Sequence, residues 1–440
     1  MTASTPSTTS TASTVDTRLR ADPDRIAHWL DTFAALSEPD SGPGVTRLAH
    51  TPLERRAHAL FAEHVSGLGL DVRTDAVGNT IAELPGTVAD APALGTGSHL
   101  DSVPNAGAFD GIAGVVAAME TARLYTEHDV HLAHPVRFVV FAAEEGARFG
   151  QACTGSRVVA GLTGVSDLET KFDAQGTSLA DAMRSVGLDP AGAAGARWRP
   201  ADWTAFLELH IEQGSVLEST GLPLGVVDLI SGSTRLRLDL TGRASHTGGT
   251  PMHQRADALA AAAEIVLLIE AIATDSRHHG TRATVGRLDS APGSITTIAG
   301  QAQLHVDVRD VDSDRQRQTA AEIVERAHAL AARRGIGFAA RTLADASPVL
   351  LPRRITDVVA ATCAELGFAH RVLPSGASHD AQMVNHVTPT GMLFVPSRDG
   401  VSHSPDEWTD LADVVVGTEV LAHSLVRLDT AFPVAGSEQS

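Results

Sequence analysis

Five short segments of the chain place a metal-ligand type of side chain within or just after an apolar run. They are Gly97-Ser98-His99-Leu100-Asp101, Phe109-Asp110-Gly111, Glu144-Glu145-Gly146, Leu209-His210-Ile211-Glu212-Gln213 and Ser402-His403-Ser404. Imidazole and carboxylate without thiolate suit zinc, manganese and related divalent ions. One bridging aspartate, two further carboxylates and three histidines suffice for a pair of ions with a free carboxylate beside it as base. Such a set performs hydrolysis with an activated water.

The spacing divides the work within each segment. In His99-x-Asp101 the imidazole can ligate while Asp101 accepts its other ring N–H and orients it. Asp110 follows small residues, Ala106-Gly107-Ala108, that let backbone and metal approach closely. Glu144 and Glu145 are adjacent after a strand-like run and so point to different sides, one free to ligate and one to act as base. Taken singly, His210, His246, His379 and His403 are ordinary members of a set of twenty histidines. The constellation carries the reading. His278 and His279 read as surface residues.

These groups need a frame that brings distant segments together. Thr51-Pro52-Leu53-Glu54 reads as a capping box with proline at the first helical position, opening a helix to about Ser66. Strand-like runs follow at 93–97, 136–142 and 205–209, with a helix from about 111 to 126 between the first two. Strands alternating with helices predict an α/β layer architecture, in which ligands bind beyond the carboxyl ends of strands. His99, the Glu144–Glu145 pair and His210 all sit at such ends. Near Ser231 the pattern changes. Leu236, Leu238 and Leu240 alternate with polar residues, a helix spans about 255–273, strands fit 283–288 and 302–308, a helix fits 314–333, and a last strand fits 337–342. The order βαββαβ predicts a small ferredoxin-like α+β domain over 231–346, inserted into a larger domain made of 19–230 and 347–430. The expected fold is therefore α/β: a mixed-sheet di-metal hydrolase domain with helices on both faces, plus the inserted lid. Residues 1–18 read as a disordered tail and 431–440 as a flexible C-terminal tail.

Bulk properties narrow the function classes. The chain has 440 residues, 43% hydrophobic and 20% charged, with net charge −19 and a single lysine, Lys171. That balance argues against nucleic acid or anionic membrane as partners, and makes an anionic substrate dependent on a local arginine or metal. The two cysteines, Cys153 and Cys363, read as buried free thiols. No run is long enough to span a membrane and the N-terminus lacks an apolar signal core, so the expected location is cytoplasmic.

At its motifs the chain resembles the M20-type amidohydrolases. Within them it is similar to the branch of N-carbamoyl-L-amino acid hydrolases, β-ureidopropionases and allantoate amidohydrolases. The resemblance runs from about Gly44 to about Leu428, through GSHLDSV, GAFDG, EEGARFG, LHIEQGSVLE, ASHTGGTPMHQRADAL, SGASHDA and FVPSRDGVSHSPDE. It implies two divalent ions per subunit, zinc, manganese or cobalt. One would be held by His99, Asp110 and His210, the other by Asp110, Glu145 and His403. It further implies Glu144 as general base and His246 as a lid histidine that polarises the scissile carbonyl across a dimer interface. Gln213 and His379 would contact substrate, and Arg309 would bind its carboxylate. Two positions depart from the branch: Thr296 stands where asparagine is expected to contact substrate, and Ala299 where proline is expected. A threonine hydroxyl lacks the amide's separate donor and acceptor. The expected activity is cleavage of a linear non-peptide amide in a small anionic substrate. N-carbamoyl-L-amino acids lead, allantoate or ureidoglycolate is the alternative, and N-acyl amino acid deacylation or a non-catalytic binding protein on the same fold stands behind them. A homodimer through the lid is also expected.

Overall fold

The computed structural model describes residues 16–434. The expected tails therefore lie largely outside the described residues. Where they do not, Arg18 pairs with Asp16, and the last helix, Leu411–Ala431, ends on the first residue of the expected C-terminal tail.

The chain divides into two compact units. The larger comprises the residues up to Asp228, Leu351–Leu373 and those from His379 onward; the smaller comprises Leu229–Leu350 and Pro374–Ser378. In chain order the strands are β1 (Asp71–Thr74), β2 (Thr80–Leu84), β3 (Ala93–His99), β4 (Val136–Phe141), β5 (Trp203–Ile211), β6 (Leu224–Ile230), β7 (Gly232–Thr241), β8 (Ser245–His246), β9 (Arg282–Ala291), β10 (Thr297–Ile298), β11 (Gln301–Asp310), β12 (Gly337–Ala346), β13 (Val349–Leu350), β14 (His370–Ser375) and β15 (Thr390–Val395).

The main sheet runs β1-β2-β4-β3-β5-β15-β6-β13, with β14 also on β6. Its centre is parallel, β3 with β4 and β5, and β5 with β15. Its flanks are antiparallel. The central strands are apolar on both faces, as a sheet covered on both sides requires. Leu94, Phe138, Val140, Leu207, Leu209 and Leu393 pack into one core with the helices Pro23–Ala34, Ile112–Glu127 and Leu411–Ala431. Val139, Phe141, Trp203 and Phe206 pack into another with Trp198 and Val384.

In the smaller unit the strand order is β12-β7-β11-β9, antiparallel throughout. Two helices, Ala258–Ala273 and Ser313–Arg333, join Leu236, Leu238, Leu240, Leu304, Val306 and Val308 in one core. The first helix starts three residues later than its apolar period suggests, because Asp257 accepts the amides of Leu259 and Ala260 and caps it there. The last strand reaches Ala346 rather than Thr342, through a register irregularity between Thr342 and Ala344.

Two local expectations need correction. Thr51 caps the helix Pro52–Gly67 by accepting the Glu54 amide, but Glu54 does not close the capping box. Its carboxylate turns inward to accept the amides of His50 and Ala143. His278 is buried, between Thr319 and Glu322, and is not a surface residue.

Candidate metal centre

The centre of the larger unit gathers residues from five loops and strand ends. His99 is the last residue of β3, and His210 lies on β5 opposite Phe394 of β15. Asp110 stands between them, 3.5 Å from His99 Nε2 and 3.3 Å from His210 Nε2 by its Oδ1. Its other oxygen, Oδ2, lies 3.4 Å from His403 Nε2. That nitrogen is also 3.2 Å from Glu145 Oε2. Two ligand groups share that aspartate, His99–Asp110–His210 and Asp110–Glu145–His403, and a third cluster, Glu208–His210–His379, lies beside them on His210.

The imidazoles are set before any ion arrives. His99 Nδ1 lies 3.1 Å from the Asp101 carbonyl and His210 Nδ1 2.9 Å from the Ile211 carbonyl. Each carbonyl accepts a ring N–H there, which leaves Nε2 of both rings as the atom that faces Asp110 and can ligate an ion. Gly111 lies flat against the His99 ring. It has φ +69°, and a Cβ there would come within 2.5 Å of the ring. Glycine is needed on both counts.

Asp101 has a different task from the one expected. Its carboxylate is 3.6 Å from His99 Nδ1, and the orienting contact is its backbone carbonyl. The carboxylate instead accepts the amides of Glu144 at 2.9 Å and Glu145 at 3.1 Å. It thus holds the turn after β4, where Ala143 takes φ +57°. The two glutamates diverge from that turn. Glu145 faces His403, while Glu144 Oε2 is 3.9 Å from His99 Nε2 and Oε1 accepts from the Cys153 thiol. Burial pushes the Glu144 carboxyl up to about 7, with His99 opposing and Glu145 adding to the shift.

The donor set fits divalent cations. Among the described residues His210 Nε2 and Glu145 Oε1 are buried without a hydrogen-bond partner, which is costly for polar atoms unless a cation meets them. Burial opposes a charge on His403, yet its bonds to Asp110 and Glu145 outweigh that and push it up to about 11. A carboxylate cluster that draws protons onto its imidazoles is one that demands positive charge. Three imidazoles and two carboxylates, with no thiolate, match zinc, manganese or cobalt.

Around this centre stand residues that sequence reasoning passed over. Glu407 Oε1 accepts the amides of Phe109 and Asp110, both at 3.0 Å, and Oε2 accepts the Ser402 hydroxyl at 2.7 Å. Ser402 Oγ is also 2.8 Å from Asp110 Oδ2. Glu208 Oε1 accepts from Ser98 and its Oε2 from the Ala381 amide. Of the expected substrate contacts, Gln213 sits in the cluster, its Nε2 2.6 Å from Asp110 Oδ2, and His379 packs its ring 4.5 Å from that of His210.

The other expected residues lie in the smaller unit. His246 of β8 is the register partner of Thr297 in β10, so it is beside Thr296, whose carbonyl accepts the Thr247 amide. His246 Nδ1 accepts the amides of Gly248 and Gly249, each at 3.1 Å. The neutral ring therefore carries its proton on Nε2 and presents a donor. Arg309, at the end of β11, donates from Nε to Asp307 at 2.8 Å and from Nη1 to the Gly376 carbonyl at 3.4 Å.

Residues 95–427 match the model of "Peptidase family M20/M25/M40". The chain belongs to the M20/M25/M40 family. Within that family it is 43% identical over 406 residues to an N-carbamoyl-L-amino acid amidohydrolase of Geobacillus stearothermophilus, covering 92% of this chain and 98% of that one. It is 34% identical over 402 residues to an allantoate amidohydrolase of Bacillus subtilis, covering 91% and 95%. A solved hydantoinase/carbamoylase family amidase from Burkholderia vietnamiensis superposes with TM-score 0.89 at 34% identity, over 94% of this chain and 99% of that one. The likeness spans nearly the whole length of each of these proteins, so the inserted unit is part of it. Among the described residues no helix is long and apolar enough to cross a membrane.

Proposed function

We propose that the protein is a metal-dependent amidohydrolase that cleaves the carbamoyl group from an N-carbamoyl-L-amino acid. The observation that carries this reading is a buried carboxylate, Glu144, left outside both ligand groups yet beside them. The 43% identity to an N-carbamoyl-L-amino acid amidohydrolase supports the substrate class.

His99, Asp110 and His210 would hold one divalent ion, and Asp110, Glu145 and His403 a second. Two such ions would acidify a water and polarise the substrate carbonyl. Glu144 receives the proton of the attacking water at Oε2, the oxygen not engaged by Cys153, and delivers it to the departing nitrogen. The Nε2–H of His246, fixed as a donor by the Gly248 and Gly249 amides, meets the negative charge that develops on the carbonyl oxygen. Arg309 binds the α-carboxylate through the guanidinium edge not engaged by Asp307, and Gln213 and His379 shape the pocket. A carbamoyl substrate yields the amino acid, ammonia and carbon dioxide. The reading includes zinc, manganese or cobalt as the metal, a homodimer through the smaller unit, and a cytoplasmic location.

A second reading rests on Thr296. With the branch's asparagine absent, the pocket suits a differently shaped ureide such as allantoate or ureidoglycolate. One experiment separates the readings. Apo-protein is reloaded with manganese, cobalt or zinc, and ammonia release is followed on N-carbamoyl-L-amino acids, allantoate, ureidoglycolate and N-acyl amino acids. Metal-dependent release from the carbamoyl set supports the first reading. Turnover confined to a ureide supports the second. Full activity in verified metal-free protein overturns both.

A further inference from the structure

The smaller sheet has one face against its two helices and one face without them, and the second face is unusual for this chain. Register places Arg341, Arg237, His305 and Arg287 side by side across all four strands. Arg237 and Arg287 are partly relieved by Asp239 and Asp289, two residues along their own strands. At the far end of the same face Arg309 lies directly opposite Arg282. Like charges placed opposite one another on a sheet are destabilising. A chain of net charge −19 has acids in excess, so this crowding is not forced by composition.

Beside Arg309 one guanidinium is left without a carboxylate. Asp307 receives Arg309 Nε at 2.8 Å and lies 3.8 Å from Arg235 Nε. Arg282, opposite Arg309, makes no ion pair among the described residues. Both members of the opposed pair converge on Gly376. Arg309 Nη1 donates to its carbonyl, and a Cβ at 376 would meet Arg282 Nη1 at 3.2 Å. Opposed side chains start about 4.5–5.5 Å apart at Cβ. Two carboxylates on one short carbon chain can reach both guanidiniums at once, each by paired hydrogen bonds.

We propose that Arg282 and Arg309 form a two-guanidinium anion subsite, and that the amide substrate carries a second acid group. The substrate class is then an N-carbamoyl amino acid with a carboxylate side chain. This rests on the assignment of Arg309 to the substrate carboxylate and adds Arg282 as the residue that reads the side chain.

The test compares acids with their isosteric amides. The metal-loaded full chain is assayed on N-carbamoyl-L-aspartate and N-carbamoyl-L-glutamate against N-carbamoyl-L-asparagine and N-carbamoyl-L-glutamine. The acids should have a KM lower by about five- to tenfold. In Arg282→Gln that ratio should fall to near one, while Arg287→Gln, at the other end of the face, should keep it. Equal KM for acids and amides in the wild type overturns the subsite. So does loss of the preference in Arg287→Gln, which would mean a diffuse field. Calorimetric binding of L-glutamate against L-glutamine provides a readout independent of turnover. If no carbamoyl compound is hydrolysed, the proposed activity fails. The subsite then stands if L-glutamate binds more tightly and Arg282→Gln abolishes the difference, and falls if it does not.

Discussion

The thiol of Cys153 lies 3.1 Å from Glu144 Oε1, and the Cys153 amide donates to the Glu144 carbonyl. The cysteine itself takes φ +57° at the start of the helix Thr154–Val159. Burial and the nearby Glu144 and Asp380 charges push the thiol well above its usual range, so it keeps its proton and can donate. This single contact directs one oxygen of Glu144 away from the ligand cluster and the other toward it. Cys153→Ala should lower kcat about three- to tenfold, since a buried carboxylate oxygen loses its donor. KM and bound metal should stay near wild type, and Cys153→Ser should restore most of kcat. A parallel loss of metal in the alanine variant would mean that the contact supports the fold and not the base.

Glu144 and Glu145 are neighbours with opposite expected phenotypes. Glu144→Gln should retain both ions, counted by elemental analysis, while activity falls by roughly 10²–10⁴-fold. Glu145→Gln should lose an ion, because its oxygen faces His403 at 3.2 Å. The reverse outcome would exchange their roles.

Glu407 should matter for metal affinity although it is outside both ligand groups. It fixes the Phe109 and Asp110 amides and, through Ser402, the outer oxygen of Asp110. Glu407→Ala should weaken metal binding by about 10–100-fold in a calorimetric titration of apo-protein, the usual scale for such supporting contacts. Glu407→Gln keeps an acceptor for the two amides and a polar group for Ser402, so it should bind nearly as wild type. Equal affinity in the alanine variant would remove Glu407 from the centre.

His50 supplies a pH dependence of stability. Its ring is fully buried with both nitrogens unpartnered among the described residues, and burial pushes it from 6.5 down to about 3, with Arg55 and Arg148 adding to the shift. The unfolded chain takes up this proton first, so stability falls as pH drops below about 6.5 and keeps falling to about 3. By pH 5 the loss reaches about 2 kcal/mol. Burial pushes Glu54 the other way, up to about 7, which opposes the trend on acidification. The comparison is therefore between variants. His50→Asn, which tolerates the φ of +52°, should show a smaller drop in urea midpoint from pH 7 to pH 5 than wild type. Identical slopes would exclude His50 as the source.

Much of this was legible in the chain. The apolar runs before His99 and Glu144 and around His210 predicted strands there, and the structure ends β3 on His99 itself. The βαββαβ order of the smaller unit followed from alternation of Leu236, Leu238 and Leu240 and of Leu304, Val306 and Val308. What sequence could not show was the buried polar lattice behind the site. Glu54 looked like a helix cap, Asp101 like a partner of His99, and Cys153 like inert packing. Their real partners, Ala143, the Glu144 and Glu145 amides and Glu144 Oε1, are brought to them by tertiary structure, and no local period encodes such pairings. Glu407 carried one faint signal, its place four residues after His403 in a segment already singled out.

The ligands fall on both sides of the inserted unit, and this orders assembly in time. As the chain leaves a ribosome, His99, Asp110 and His210 are all present once residue 211 has emerged. The group containing His403 must wait until the whole insertion has been made. Until then β5, which carries His210, also lacks its parallel neighbour β15. A nascent or truncated chain can therefore offer one complete ligand group on an unfinished sheet edge, but never two. On the proposed ligand set, capture of the second ion would be a late event in biogenesis, coupled to closing the sheet.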